Sequence, residues 1–330
     1  MDLTTTYMGL KLKNPIIIGA SPLTSTLESI LELEKNGAAA VVLHSIFEEQ
    51  INHEMHEMDH FIFKGSEDYA ESLGYFPEVT LSNLESEHYL EEIVKLKQAV
   101  SIPIIASLNG VSSGGWVKYA TKLQEAGVDA LELNITYIPT DIELSSQEIE
   151  AMYIDTLKAV REVVTIPVSV KMNAVFSAPA NMAKRFSEAG ADALVLFDRA
   201  VGVDIDLENL DSLHAIRKTS SQDMSESLRW SAILHNSIDA SLCISTGVRN
   251  HKDILKAMMS GADAVAMVGV VMEKSPKQIK KILKKLTKWM QEREYTSIEQ
   301  MKGSISLAHT SNPAAYERAN YMRVLTDYRY

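Results

Sequence analysis

Several polar and small residues end apolar runs of this chain, and their types set out the chemistry open to it. Lys171 stands in Val168-Ser-Val-Lys-Met, an otherwise apolar run. An ammonium there is costly unless it meets an anion. It can serve as a Schiff-base amine, which needs a lowered pKa, or as a fixed positive charge beside an anionic cofactor ring. An outward lysine snorkelling between helices is the structural alternative. Asn134 ends Leu131-Glu-Leu-Asn and is followed by Thr136 and Tyr137, hydroxyls able to handle a proton. Between Ser241 and Met272, two apolar runs close on small residues: Leu242–Ile244 on Ser245-Thr246-Gly247, and Ala264–Val268 on Gly269. Bare backbone N–H groups at the carboxyl ends of two adjacent parallel strands form an anion cradle, as they do after strands seven and eight of many (β/α)8 barrels.

Such residues act together only if a regular scaffold brings the strand ends to one place. The chain has a degenerate internal repeat in which a helix ends at glycine and an apolar run follows: Gly37-Ala-Ala-Ala, Gly127-Val-Asp-Ala, Gly190-Ala-Asp-Ala and Gly261-Ala-Asp-Ala. Glycine suits the left-handed position just past a helix. The runs lack period-two alternation, as expected of parallel strands buried on both faces. A second punctuation, Ser101-Ile-Pro and Thr165-Ile-Pro, precedes two more runs.

The predicted strands are Pro15–Ile18, Ala40–Leu43, Ile104–Leu108, Ala130–Ile135, Val168–Met172, Ala193–Phe197, Leu242–Ile244 and Ala264–Val268. Helical stretches are predicted over Thr26–Asn36, Tyr89–Val100, Val117–Ala126, Ser146–Val164, Ala180–Ala189, Asp253–Ser260 and Pro276–Arg293. Eight alternating strands imply a closed α/β barrel, the (β/α)8 TIM barrel, rather than an open doubly wound sheet. The whole chain, 1–330, reads as one such domain with 295–330 as a C-terminal extension. Two connections exceed simple crossovers, Ser45–His88 after strand two and Asp198–Ser227 after strand six. Both leave the strand ends where barrel active sites lie. The first carries His53, His56 and His60, whose spacing reads as a solvated helix face rather than a metal site, so no metal is expected. The remaining strand-end candidates are Ala20 and Ser21, Ser45, and Asn109.

The net charge of −12 argues against nucleic acid as a partner. One cysteine, Cys243, allows no internal disulfide and suits a reducing cytoplasm. There is no signal-peptide core at the start, and no run approaches a membrane span, so a cytoplasmic protein without a membrane partner is expected.

These residues, in this order, resemble the dihydroorotate dehydrogenases. The similarity runs from Gly9-Leu-Lys-Leu-Lys-Asn-Pro-Ile-Ile through Leu131-Glu-Leu-Asn, Val168-Ser-Val-Lys-Met and Ile244-Ser-Thr-Gly-Val. It continues through Ser260-Gly-Ala-Asp-Ala-Val-Ala-Met-Val-Gly to Tyr295-Thr-Ser-Ile-Glu-Gln-Met-Lys-Gly. The resemblance implies an FMN-dependent oxidoreductase that passes a hydride from a small saturated ring, dihydroorotate or a relative, to flavin N5. It implies a soluble electron acceptor and a homodimer. Thr246, Gly247 and Gly269 would hold the flavin phosphate. Lys171 would sit by the ring, Asn134 and Asn109 would contact flavin or substrate, and Ala20, Ser21 and Ser45 would line the ring.

The chain also departs from that family. Its base follows strand four in Asn-x-Ser-Cys-Pro-Asn; here the stretch is Asn134-Ile-Thr-Tyr-Ile-Pro, leaving Tyr137 or Thr136 as proton acceptor. The asparagine after strand six is replaced near Phe197-Asp198. Two other readings follow from the residues: a Lys171 Schiff-base lyase on a phosphate-binding barrel, and a non-catalytic flavin-binding subunit of a redox assembly.

Overall fold

In the computed structural model the described residues are 1–51, 85–111, 114–198, 202–215, 218–317 and 326. His53, His56 and His60 lie outside them. Eight parallel strands close on themselves: β1 (Ile16–Ile18), β2 (Ala40–Val42), β3 (Ile104–Asn109), β4 (Ala130–Asn134), β5 (Val168–Met172), β6 (Ala193–Leu196), β7 (Ser241–Ile244) and β8 (Ala264–Met267). The ring closes where Val265 of β8 pairs with Ile16 of β1. This is the TIM barrel expected from the strand count.

Helices cover the outside: α1 (Leu27–Lys35), α2 (Glu85–Ala99), α3 (Gly115–Glu125), α4 (Ser146–Val163), α5 (Pro179–Glu188), α6 (Ser225–Leu234), α7 (His251–Ser260), the short α8 (Gly269–Lys274) and α9 (Lys277–Glu292). The sequence reading had no helix at α6 and none at α8. The connection after β6 is also less irregular than its composition suggests, because Gly202–Asp206 and Asp211–Ala215 form an antiparallel hairpin.

The internal repeat has a mechanical basis. Asp129, Asp192 and Asp263 each stand at the start of a strand. Their carboxylates accept from amides at or next to the start of the preceding strands, at Ile104 (2.7 Å), Val168 (2.8 Å) and Leu242 (2.8 Å). Their own N–H groups donate to the carbonyls of the same three residues. Each carboxylate thus fixes the register of two adjacent strands where the ladder begins and would otherwise leave an amide unpaired. Lys97, Arg161 and Lys302 pair with these acids. In the first repeat the acid is replaced by Ala39, and Asn14 takes over by accepting from the Ile16 amide at 3.0 Å.

Two cores result. A large one lies between strands and helices. A smaller one fills the barrel interior with Ile17, Val42, Ile105, Val195 and a set of alanines. Those small residues leave room at the amino-terminal end for a plug, the hairpin Thr5–Tyr7 and Leu10–Leu12, which inserts Tyr7, Met8 and Leu12. The Tyr7 hydroxyl reaches Ser169 of β5.

Residues 296–305 are fastened at that same end. Thr296 and Ile298 bond to the backbone of Asp2, and Gly303 and Ile305 donate to Met258 and Met259 of α7. The His235 imidazole is packed between Gly261 and Gly303, both in the left-handed region, where a Cβ at either would overlap the ring. Burial lowers the His235 pKa; Asp263 and the Gly261 backbone oppose this, while Lys302 and His309 add to it. An unfolded histidine titrates near 6.5. The neutral ring therefore contributes stability that is complete above that pH and drains away as pH falls through the lower folded value. The urea-midpoint difference between wild type and His235→Gln is accordingly expected to narrow between pH 7.5 and pH 5.5, since glutamine does not titrate there. A gap that stays constant or widens contradicts this.

Candidate active site

The carboxyl ends of the strands open on a cavity of about 690 Å3, within the usual range for small-ligand sites. Its walls come from β4 round to β1. Ala20, Lys171, Thr246, Gly247 and Gly269 of the sequence-derived set line it, together with Glu132, Asp198, Lys218 and Thr219, which that set lacked.

The floor is polar because strand alternation turns Glu132 and Asn134 of β4, and Ser169 and Lys171 of β5, toward the barrel interior. The register sets Glu132 beside Ser169 and Asn134 beside Lys171. Lys171 Nζ lies 3.2 Å from Asp198 Oδ1. The other carboxylate oxygen, Asp198 Oδ2, accepts from the Thr136 hydroxyl at 3.2 Å, and Asn134 Oδ1 lies at 3.2 Å from the same hydroxyl. Asp198 is itself anchored by its backbone N–H, which donates to Met172 at 2.8 Å. One acid thus joins the ends of β4, β5 and β6.

Burial alone would lower the Lys171 pKa, but Glu132 and Asp198 outweigh it and hold the ammonium above its ordinary value. This is the reverse of what a Schiff-base lysine needs, so the lyase reading loses its chemical basis. Burial pushes the Glu132 carboxyl up, with Lys171 opposing and Asp198 reinforcing. Burial likewise raises the Cys243 thiol beneath it, so that cysteine is a packed core residue and not a reactive one.

The loops after β7 and β8 line another part of the cavity with small residues whose backbone could meet an anion. Gly247 has φ +79°, and a Cβ there would come within 2.7 Å of the Met224 amide nitrogen and 2.8 Å of the Ser220 carbonyl. Ser245 and Thr246 donate to the Phe197 carbonyl at 2.7 and 3.2 Å, which holds their loop against β6. Gly269 opens α8, and a Cβ there would meet only Arg249 and Thr219 at 3.6 Å, so its backbone is bare toward the cavity. Arg249 donates to Glu273 at 2.5 Å and to the Thr219 carbonyl at 2.8 Å. Lys218 acts on Glu273 as well. Apolar Val195, Phe197, Val248 and Met272 also line the cavity. The donor set fits a phosphorylated flavin: bare amides and cations at one end, apolar walls for a ring, and a fixed ammonium at the other.

The remaining candidates sit at the margin. Ser21 donates to the Gly19 carbonyl at 3.0 Å, next to Ala20. Neither the buried Asn134 nor its hydrogen-bond partner Thr136 lines the cavity; Thr136 connects to it through Asp198, and Asn109 stands beside Asn134 on β3. Ser45 pairs with Ser107 at 2.8 Å and lines a separate cavity of about 490 Å3 with His44 and Tyr89. Tyr137 is half-buried against the shell core, its backbone within reach of the Tyr153 hydroxyl, and it does not line the mouth cavity. Among the described residues there is no cluster of three or more His, Cys, Asp or Glu suited to a metal. None of their helices is long and apolar enough to cross a membrane.

Asp198 and Glu132 were legible only as strand-end or motif residues. What identifies them is the register of β4, β5 and β6, which no spacing along the chain reveals.

The dihydroorotate dehydrogenase family model matches residues 2–290. The catalytic subunit of dihydroorotate dehydrogenase B (NAD(+)) from Thermoplasma volcanium is 28% identical over 314 residues, covering 92% of this chain and 98% of that protein. Its counterpart from Methanothermobacter thermautotrophicus is 26% identical over 319 residues, covering 93% and 98%. The Listeria monocytogenes subunit is 27% identical over 249 residues, covering 69% and 77%. With a family model matching most of its length, this barrel belongs to the dihydroorotate dehydrogenase family of FMN-dependent oxidoreductases acting on CH–CH bonds.

Proposed function

We propose that the mouth cavity holds FMN along its length and oxidises a small saturated ring of the dihydropyrimidine type. The observation that carries this is the Lys171 ammonium, fixed at one end of a cavity whose other end is the Gly247 cradle. Bound FMN supplies the two-electron acceptor, taking a hydride at N5. Thr246, Gly247 and Gly269, with Lys218 nearby, bind the phosphate. Ala20 and Ser21 border the ring, and Lys171 offers it positive charge. Asn134 and Asn109 support the ring end of the site from the strands beside it, and Ser45, in the separate cavity, braces Ser107 of β3. The chain acts as a single barrel unit, 1–330, with 295–330 as an extension of it.

Removing a hydride from one carbon requires removal of a proton from its neighbour. Of the two candidates Thr136 and Tyr137, Thr136 is the better supported, because its hydroxyl lies 3.2 Å from Oδ2 of Asp198, which lines the cavity. The hydroxyl accepts the substrate proton while passing its own to the carboxylate, so Asp198 does for threonine what a stronger base would do alone. General-base catalysis is worth roughly 10²–10⁴-fold. Thr136→Val is expected to slow flavin reduction by about that factor with FMN still bound, whereas Tyr137→Phe leaves the rate within a few-fold. Anaerobic stopped-flow bleaching of the flavin band compares the two; a large loss in Tyr137→Phe with little in Thr136→Val would return the role to Tyr137.

The relatives' names describe a catalytic subunit of an NAD(+)-dependent enzyme. This supports a soluble redox partner that drains the electrons, in a cytoplasmic assembly built on a homodimer of this chain. The test of the whole reading is direct. Purified protein is expected to be yellow, or to take up FMN one to one, and to bleach anaerobically with a dihydropyrimidine. Protein that stays colourless in excess FMN overturns it. A protein that binds FMN but is bleached by no dihydropyrimidine or small acid is instead a flavin-carrying subunit.

A further inference from the structure

Lys171 stands between two acids that come from the strands on either side of its own. On β4, Asn134 is level with Lys171, and Glu132 lies two positions deeper on the same face. On β6, Val195 is level with Lys171, and Asp198 follows three positions nearer the mouth. The lysine therefore has one carboxyl below its level and one above it, and all three residues line the cavity.

The upper contact is not fully closed. Lys171 Nζ is 3.2 Å from Asp198 Oδ1, whereas a closed ammonium–carboxylate hydrogen bond measures about 2.7–2.9 Å. A pull from the other side accounts for the gap. Burial works against the Lys171 charge, and the Glu132 carboxyl is the largest single influence opposing burial. Glu132 is itself only 6% exposed, and a carboxyl so placed is costly without a partner. Ser169, level with it on β5, gives its hydroxyl to the Leu131 carbonyl at 3.1 Å instead. The cation set beside Glu132 is Lys171.

We propose that Glu132 is a positioning residue for the flavin reaction: an acceptor beneath Lys171 that keeps the ammonium from closing on Asp198, so that its charge is presented to the ring. This rests on the flavin-site reading above and adds a residue to it. Without the lower acceptor, Lys171 closes on Asp198, and the tighter pair presents a weaker positive field to bound FMN. A weaker field disfavours the negatively charged reduced flavin, so the reduction potential falls.

Glu132→Gln and Glu132→Leu are the test. Both side chains are uncharged, so comparing them takes the charge of Glu132 out of the question; glutamine keeps an acceptor oxygen and leucine has none. The readout is the midpoint potential of bound FMN, measured anaerobically by equilibration with a reference dye and without turnover. The leucine variant is expected to lie at least about 30 mV below the glutamine variant, a tenfold change for a two-electron couple. A merely structural role would move the thermal midpoint instead, and an apolar side chain in place of a buried ionic group is often neutral or stabilising, so leucine should cost little there. Equal potentials, or leucine above glutamine, overturn the proposal and leave the flavin reading standing. If the leucine variant does not fold, Glu132→Ala, also without an acceptor, takes its place in the comparison. In a Lys171→Met background the gap is expected to close, because the effect runs through the lysine. A gap that persists there shows Glu132 acting on the flavin by itself and overturns the positioning role; the comparison with Lys171 present decides alone if that background holds no FMN. Wild-type protein that takes up no FMN overturns this proposal together with the reading beneath it.

Discussion

Lys171→Met is expected to be the most damaging single change at the floor of the barrel. It leaves Asp198 and Glu132 facing each other across the space the ammonium occupied, without a cation. Removing one partner of a buried pair typically costs about 3–5 kcal/mol, because the other charge is left uncompensated. Lys171 and Asp198 keep 21% and 13% of their side-chain surface exposed, so the lower end, about 3 kcal/mol, is the better figure. A lower thermal midpoint in the variant, measured with and without FMN, is the first readout. The second is the flavin. Losing a preorganised charge at a reacting centre costs on the order of 10²–10³ in rate, and the reduction potential of bound FMN is expected to fall. Lys171→Met with Asp198→Asn separates the two effects. The double variant loses both members of the ion pair, so it is expected to regain part of the stability while the flavin stays slow. If the double variant is less stable than the lysine variant alone, Asp198 does not owe its place to Lys171.

Gly247→Ala carries the second large effect, at the opposite end of the cavity. The residue sits at φ +79°, where a side chain costs roughly 1–2 kcal/mol on backbone grounds alone. The added methyl would also press on the Met224 nitrogen at 2.7 Å and the Ser220 carbonyl at 2.8 Å. Both are backbone atoms of the turn Ser221–Met224 and its cap, so nothing flexible can yield. The loop must move away from β6, and FMN affinity is expected to drop at least about a hundredfold, roughly 2.7 kcal/mol. Gly269→Ala makes the control. Its methyl would meet Arg249 and Thr219 at 3.6 Å, an ordinary contact, so the apoprotein should be as stable as wild type while FMN binding weakens. Fluorescence titration of the apoproteins with FMN compares them. Equal affinity in Gly247→Ala and wild type would show that the cradle is not where the phosphate binds.

The barrel was readable because its repeat is chemical as well as compositional. The Asp of Gly-x-Asp-Ala clamps two strands at once, so three of the four repeats announce their strands, and Asn14 covers the fourth. Boundaries slipped by one residue at Leu43, Ile135, Phe197 and Val268, where polar or bent backbone begins at the mouth. The missed α6 follows from its composition: Ser-Glu-Ser-Leu-Arg-Trp-Ser is a weak stripe that helix α7 and β7 complete from outside. The hairpin after β6 carries exposed Val203 and Ile205, so its alternation points to no core.

The site was half legible. Thr246, Gly247, Gly269 and Lys171 stand at strand ends and could be read from position alone. Asp198 looked like a displaced residue of a loop. Only the three-dimensional register, which sets Asn134 beside Lys171 and ties Asp198 to Met172, shows that it bonds to both Lys171 and Thr136. Tyr137, next in sequence to Thr136, turns to the shell instead, as alternation beyond a strand end allows.

The closing seam between β8 and β1 has a temporal consequence. Ile16, Ile17 and Ile18 emerge early in synthesis, yet their partners Val265, Ala266 and Met267 follow about 250 residues later, roughly 12–50 s of translation at ordinary elongation rates. Throughout that interval a run of three isoleucines has one of its two neighbouring strands missing. Until Val265–Met267 are made, Ile16–Ile18 keep an apolar, unpaired border, the kind of border that recruits other strands. Holding chaperones have their period of use in that interval, and ribosome-bound chains truncated before Ala264 should aggregate on release where full-length chains do not.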